Sequence, residues 1–152
     1  MRLDLDAIID YQMNRPPYLM IDVAEAVVPG ESARGYKDMS ADLWFFACHF
    51  PGDPSVPGLL QIEAIVQMAA LALVTLPGNK AKVCYLTTTD KARYKRKVVP
   101  GDRFTIETRV LSFKRGIARL EGTGSVNDAL ACQAEFGLVM PHLLQEFRVV
   151  GG

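Results

Sequence analysis

Apolar residues run almost without interruption from Leu59 to Leu76, and only Gln61, Glu63, Gln67 and Thr75 break the run. Pro57-Gly58 opens it and Pro77-Gly78-Asn79 closes it, so the pattern predicts one helix of about five turns. That helix is apolar on nearly every side rather than along one stripe, which places it inside the fold. Upstream, Leu5, Ile8 and Ile9 fall at helical spacing behind Asp4, a good N-cap. A short amphipathic helix over 4–12 is expected, docked on something larger.

The rest of the chain reads as strand. Runs 18–28 and 31–39 flank Pro29-Gly30 and predict a first hairpin after Pro16-Pro17. Runs at 82–99, 103–113, 116–126 and 129–140 are rich in Val, Thr, Tyr, Phe and Ile. Pro100-Gly101-Asp102, Lys114-Arg115-Gly116 and Asn127-Asp128 separate them as turns. About six strands joined mostly by tight turns require an antiparallel sheet, because each parallel crossover would need its own helix. One helix must then serve the whole sheet. The expected architecture is α+β, a sheet curled around that helix, with a helix flank and a sheet edge left for a partner subunit.

Composition narrows the function classes. At 152 residues and 49% hydrophobic content, one domain over 1–152 is expected, with a real core. Lys plus Arg and Asp plus Glu are 17 each, so no global field favours nucleic acid or an anionic membrane surface. Cys48, Cys84 and Cys132 are odd in number and lack CxxC spacing, which indicates neither a disulfide framework nor a zinc site. Reduced thiols in a cytoplasm are the simple reading. The N-terminus spreads three aspartates through its apolar residues and has no signal-type apolar stretch. The run 59–76 is long enough to cross a bilayer, but it carries Gln61, Glu63 and Gln67 in its first half, so a buried helix is expected instead.

The densest chemistry lies in His49-Phe50-Pro51-Gly52-Asp53-Pro54-Ser55-Val56-Pro57-Gly58 and the helix start that follows. A carboxylate inside an apolar helix is either paired or pushed toward its neutral form, and this makes Glu63 a candidate acid. Gly58 stands where free backbone N–H groups and the helix dipole favour negative charge on a bound carbonyl oxygen. Glu63 follows five residues later, on the order of 7.5 Å along the axis. Gln67 is one turn further on the same face and can orient the carboxyl. If the loop folds back, His49 supplies a base near neutral pH.

Other residues read more plainly. A lone histidine is more often structural than catalytic, and only the spacing to Glu63 raises His49 above that. His142, beside Pro141, reads as packing or surface. Cys48 sits next to His49, yet no third group orients the pair as a nucleophile. Residues 91–97 hold Lys91, Arg93, Lys95, Arg96 and Lys97, and strand alternation puts Lys91, Arg93, Lys95 and Lys97 on one face. That face is either simply solvated or a local match for an acidic partner. Without aromatic stacking residues or overall basicity it does not read as a nucleic-acid surface.

The 49–67 stretch resembles the FabZ-type (3R)-hydroxyacyl-acyl-carrier-protein dehydratases, whose signature is close to His-Phe-Pro-Gly-x-Pro-x-x-Pro-Gly-x-Leu-x-x-Glu-Ala-x-x-Gln. Every fixed position is present here. A second block, Asp90 to Asp102, is similar to the family's Lys-Ala-Arg-Phe…Val-x-Pro-Gly-Asp segment, and Pro17-Tyr18-Leu19-Met20-Ile21-Asp22 is similar to its Pro-Phe-Leu-Leu-Val-Asp. The resemblance spans roughly residues 8 to 140.

It implies a hot-dog fold, with His49 as the base at the α carbon, the Gly58 amide on the thioester carbonyl and Glu63 as the acid for the departing β-hydroxyl. It further implies no metal and no organic cofactor, the substrate itself carrying phosphopantetheine. The handle would be an acyl carrier protein or coenzyme A, with the basic residues as its contact. A homodimer would be the minimal active unit, with His49 of one subunit facing Glu63 of its partner, and a hexamer is possible. Glu63 in place of the Asp of the related FabA type favours dehydration without double-bond isomerisation. Ala47-Cys48 and Ser55-Val56 depart from the usual pattern beside the pocket and bear on substrate choice. Rival readings are a hot-dog thioesterase or isomerase, or a non-catalytic acyl-thioester-binding protein.

Overall fold

The computed structural model describes residues 1–146, so positions 147–152 of the expected domain lie outside the described residues. Asp4 caps α1 (Leu5–Tyr11), accepting from the Ala7 amide at 2.9 Å, and Ile8 buries its inner face. The apolar run forms α2 (Gly58–Val74), whose Ala64, Ile65, Met68, Ala69, Leu71, Ala72 and Leu73 are wholly enclosed. Enclosure on so many sides is what an all-round apolar helix demands. It is met by a single antiparallel sheet in the order β1-β2-β4-β5-β6-β3. The strands are β1 (Val23–Val28), β2 (Ser32–Asp38), β3 (Tyr85–Tyr94), β4 (Arg103–Lys114), β5 (Ile117–Val126) and β6 (Ala129–Val139). A short α3 (Pro141–Glu146), absent from the sequence expectation, follows.

The hairpins close where the turn chemistry predicts. Gly30 has φ 77° between β1 and β2, and Asn127 and Asp128 both take positive φ between β5 and β6, the twist that a two-residue hairpin needs. The sheet lies close on α2 because small residues face it. A side chain at Gly122 would strike Ile65, and one at Gly124 would strike the Phe104 ring.

Three expectations change. Residues 18–22 are not part of β1; they form a turn and an extended segment that buries Leu19, Met20 and Ile21 while Tyr18 stays 47% exposed. The run 82–99 yields a strand only over Tyr85–Tyr94; the chain keeps one more bond to β6, from the Lys95 amide to the Ala131 carbonyl, and then runs beside the 49–58 loop, where the Val56 amide donates to the Val98 carbonyl at 2.8 Å. The basic residues therefore do not share one strand face. Lys91 has φ 51°, the pairing with β6 shifts between Asp90 and Arg93, and Lys95 and Lys97 lie beyond the strand.

β3 is exposed along its whole length and pairs on one side only, with β6. No described helix is long and apolar enough to cross a membrane.

Candidate active site

The 49–58 loop is a closed unit held by its own backbone. Phe50 and Asp53 exchange amide–carbonyl bonds at 3.0 and 2.9 Å, and the Ser55 amide donates to the His49 carbonyl at 2.9 Å. The His49 ring stacks on Phe50 with centroids 4.1 Å apart, and its Nδ1 lies 3.0 Å from the Ser55 carbonyl oxygen. A carbonyl can only accept, so Nδ1 carries the hydrogen and Nε2 is left with the lone pair. The loop thus fixes both the plane of the imidazole and the nitrogen that can take a proton.

Gly58 is the first residue of α2 behind Pro57, and no side chain caps this end. The Leu60 and Gln61 amides turn back to the Pro57 carbonyl, which leaves the Gly58 amide at the open end of the first turn. The Tyr94 ring lies against this point, 2.7 Å from where a Cβ on Gly58 would sit. Glycine is required by that close approach rather than by its φ.

Glu63 is half-buried on α2. Burial pushes its carboxyl above the usual carboxylate range, while hydrogen bonds from Gln67 and from the Tyr18 hydroxyl pull it back. Gln67 Nε2 donates to Glu63 Oε1 at 2.9 Å and to the Tyr18 carbonyl at 3.1 Å, and Gln67 Oε1 accepts from the Met20 amide at 2.7 Å. One buried amide therefore ties the acid to the 18–20 segment. Tyr18 was missed by sequence reasoning, since nothing in its spacing links it to residues more than forty positions away.

Glu63 opens a groove of about 290 Å³ that follows α2 through Val66, Gln67, Ala70 and Val74 and is walled by Val83 to Leu86 and Leu138. His49 is not among the residues that line this groove. A larger depression of about 430 Å³ lies on the outer sheet face among paired charges such as Arg109–Glu121 and Lys91–Glu135. Apart from Lys91 it contains none of the expected site residues, and it is a solvated charge ladder. Lys91 thus belongs to that face, whereas Lys97 reaches Asp53 of the His49 loop at 3.6 Å.

The remaining candidates are structural. His142 Nε2 sits 3.1 Å from Asn79 Oδ1 under the end of α2, and Cys48 Sγ lies against the Phe45 carbonyl at 3.4 Å. Burial pushes the Cys84 thiol, which faces the Glu63 groove, up to about 12, so it is no nucleophile. Among the described residues no group of three or more His, Cys, Asp and Glu side chains is placed to hold a metal ion.

A curled sheet around one apolar helix, with a fixed imidazole in the preceding loop and a desolvated glutamate on the helix, defines a hot-dog protein equipped for proton-transfer chemistry. Residues 13–135 match the model of the FabA-like domain. Over 138 residues the chain is 41% identical to the 3-hydroxyacyl-[acyl-carrier-protein] dehydratase FabZ of Natranaerobius thermophilus, covering 90% of this chain and 97% of that one. It is 36% identical over 140 residues to the enzyme of the same name from Clostridium novyi, covering 91% and 99%. Among solved structures, the dehydratase heterocomplex ApeI:P from Xenorhabdus doucetiae superposes with a TM-score of 0.75 at 14% identity, over 93% of this chain and 97% of that one, a likeness of fold. The chain belongs to the FabA-like family and, within it, to the FabZ 3-hydroxyacyl-[acyl-carrier-protein] dehydratases.

Proposed function

We propose that this protein removes water from 3-hydroxyacyl thioesters carried on acyl carrier protein, giving trans-2-enoyl thioesters for fatty-acid synthesis. The observation that carries the reading is the pairing of opposite environments: an imidazole whose Nε2 is left free by the Ser55 carbonyl, and a carboxyl raised by burial. The Gly58 amide polarises the thioester carbonyl, so negative charge developing on its oxygen meets a fixed donor. His49 Nε2 takes the α proton. The electron pair released at the α carbon forms the double bond as the bond from the β carbon to its hydroxyl breaks, and Glu63 gives that oxygen a proton so that it leaves as water. The cycle ends with His49 protonated and Glu63 ionised, and proton exchange with solvent resets both.

That His49 does not line the Glu63 groove of its own chain supports a working site assembled between two copies, with a homodimer as the minimal unit. A hexamer of three such dimers is compatible with this. No metal or organic cofactor enters the steps. The groove along α2 receives the acyl chain, and its course from Glu63 to Val74 sets the length accepted. Glu at position 63 goes with dehydration alone, without isomerisation. The three free cysteines fit a reducing cytoplasm.

The decisive assay follows enoyl absorbance from a 3-hydroxyacyl carrier protein while monitoring free thiol. His49→Ala and Glu63→Gln should each lower kcat/KM by about 10²–10⁴-fold with the fold retained. Thiol release in place of enoyl product, or full turnover in either variant, overturns the assignment.

A further inference from the structure

The groove that starts at Glu63 runs straight along α2, and Val66, Gln67, Ala70 and Val74 line it in turn. At roughly 3.6 residues per turn, Ala70 and Val74 fall within about 20° of Glu63 around the helix, and Val66 and Gln67 within about 60°. A rise of about 1.5 Å per residue places Ala70 about 10.5 Å and Val74 about 16.5 Å beyond the acid. These residues differ in what they give the groove. Val66 and Val74 are 7% and 1% exposed and turn mostly into the core, and Gln67 is tied by its bonds to Glu63, Tyr18 and Met20. Ala70 is only part-buried and offers a single methyl, the smallest side chain of the lining. The floor therefore stays open between the first turn past Glu63 and the end of the helix.

The far half of the groove is walled by chain that returns along α2. β3 ends with Tyr94 at Gly58, so Val83 and Leu86, before and at its start, flank the C-terminal half of the helix together with Leu138. Apart from Glu63, Lys82 is the one charged group among the described lining residues, and it follows the Pro77-Gly78-Asn79 turn that ends α2. The lining passes from an acid through alkyl side chains to a cation, and an alkyl terminus gains nothing by running on into that charged end.

We propose that Ala70 is a specificity-determining residue for acyl length: its methyl leaves a path along α2 for long-chain 3-hydroxyacyl thioesters, and a larger side chain at that position closes the path. The proposal deepens the dehydratase reading given above and rests on it. An extended chain advances about 3.6 Å over three bonds, or about 1.2 Å per carbon. Counted from a β carbon held at Glu63, a chain of about twelve carbons ends at Ala70 and one of about sixteen ends at Val74. Chains of up to about ten carbons stop short of Ala70 and do not touch it. Each buried methylene strengthens binding roughly fourfold, so excluding the last four or so costs about 10²-fold.

The test measures kcat/KM on 3-hydroxyacyl carrier proteins of about four to about sixteen carbons for the parent protein, Ala70→Leu and Ala70→Phe. The parent is expected to hold or gain kcat/KM with length up to about sixteen carbons. In Ala70→Phe the ratio of kcat/KM for a chain of about sixteen carbons to that for one of about eight should fall by about 10²-fold, and in Ala70→Leu by about tenfold. The loss should appear in KM, because the contact removed is made equally in the ground and transition states. An unmoved length profile in both variants overturns the proposal. So does a fall by the same factor at every length, which is what a disturbed core gives, and so does a parent enzyme that already stops at about ten carbons. If Ala70→Phe does not fold, Ala70→Leu carries the same comparison. Absence of enoyl product from the parent at every length instead overturns the dehydratase reading, so the two failures are read in different proteins.

Discussion

At the scale of single residues, Glu63 shows how function is held against stability. Its carboxyl is raised by burial, so the folded state prefers the protonated form more than the unfolded chain does. The native state then binds more protons, and its stability falls as pH rises from the ordinary carboxylate range through the raised value. Glutamine at 63 keeps an acceptor for Gln67 and Tyr18 but never ionises. Glu63→Gln should therefore melt at higher temperature than the parent protein at pH 7 to 8, with the advantage shrinking as pH falls from the raised value toward the ordinary carboxylate range and gone below it. Thermal unfolding followed across pH checks this, and an advantage that grew on acidification would refute the desolvated-acid account. Glu63 and Gln67 were legible as a pair in the sequence because helical spacing alone puts i and i+4 on one face. Tyr18 was not, since its place depends on which backbone groups Gln67 satisfies across the fold.

Elements were legible where the signal is local. The Pro57-Gly58 start, Pro77-Gly78-Asn79 and the turn pairs at Arg115-Gly116 and Asn127-Asp128 mark boundaries by their own backbone preferences. The basic strand misled because alternation holds only along an unbroken ladder, and the left-handed Lys91 and the shifted pairing after Asp90 carry no sequence mark such as glycine. What the fold does instead is instructive. The Lys95 amide bonds the Ala131 carbonyl at 2.7 Å, Val98 bonds the loop at Val56, and the Tyr94 ring covers Gly58. Arg93, Lys95 and Lys97 are therefore carried on chain that runs past the start of α2, whereas Lys91 pairs with Glu135 on the outer face. If Gly58 holds the thioester as proposed, a carrier protein delivering its acyl arm there would approach over the first three. Reversing Arg93 and Lys95 to Glu should raise KM for carrier-protein substrates by about tenfold at low salt, with little change for coenzyme A analogues and a smaller difference at high salt. Lys91→Glu should leave the ratio near that of the parent enzyme. Steady-state kinetics on both substrate types decides between docking and plain solvation of these charges.

At the scale of the whole molecule, the sequence implied a helix needing a sheet around it, but not that β3 would travel to the far edge and pair with β6. Such an order rests on long-range contacts that no local pattern encodes. The consequence is an edge strand open to solvent, with Tyr85, Leu86 and Tyr94 exposed on it and Val83 just before it, beside a groove that contains the acid but not the base. An unpaired apolar edge is a pairing surface, and a two-fold operator there is self-complementary. If each site takes His49 from one subunit and Glu63 from the other, two dead variants can repair each other. A dimer of one His49→Ala chain and one Glu63→Gln chain holds one site with both defects and one with neither. Random mixing makes about half the dimers mixed, so co-expressed chains should recover about a quarter of parental activity. If base and acid came from the same chain, every site in the mixed dimer would lack one of them and activity would stay at the level of the single variants. Co-expression with two affinity tags, isolation of the doubly tagged species and a turnover assay separate these outcomes directly, with the pure mixed dimer expected at about half the parental rate per dimer.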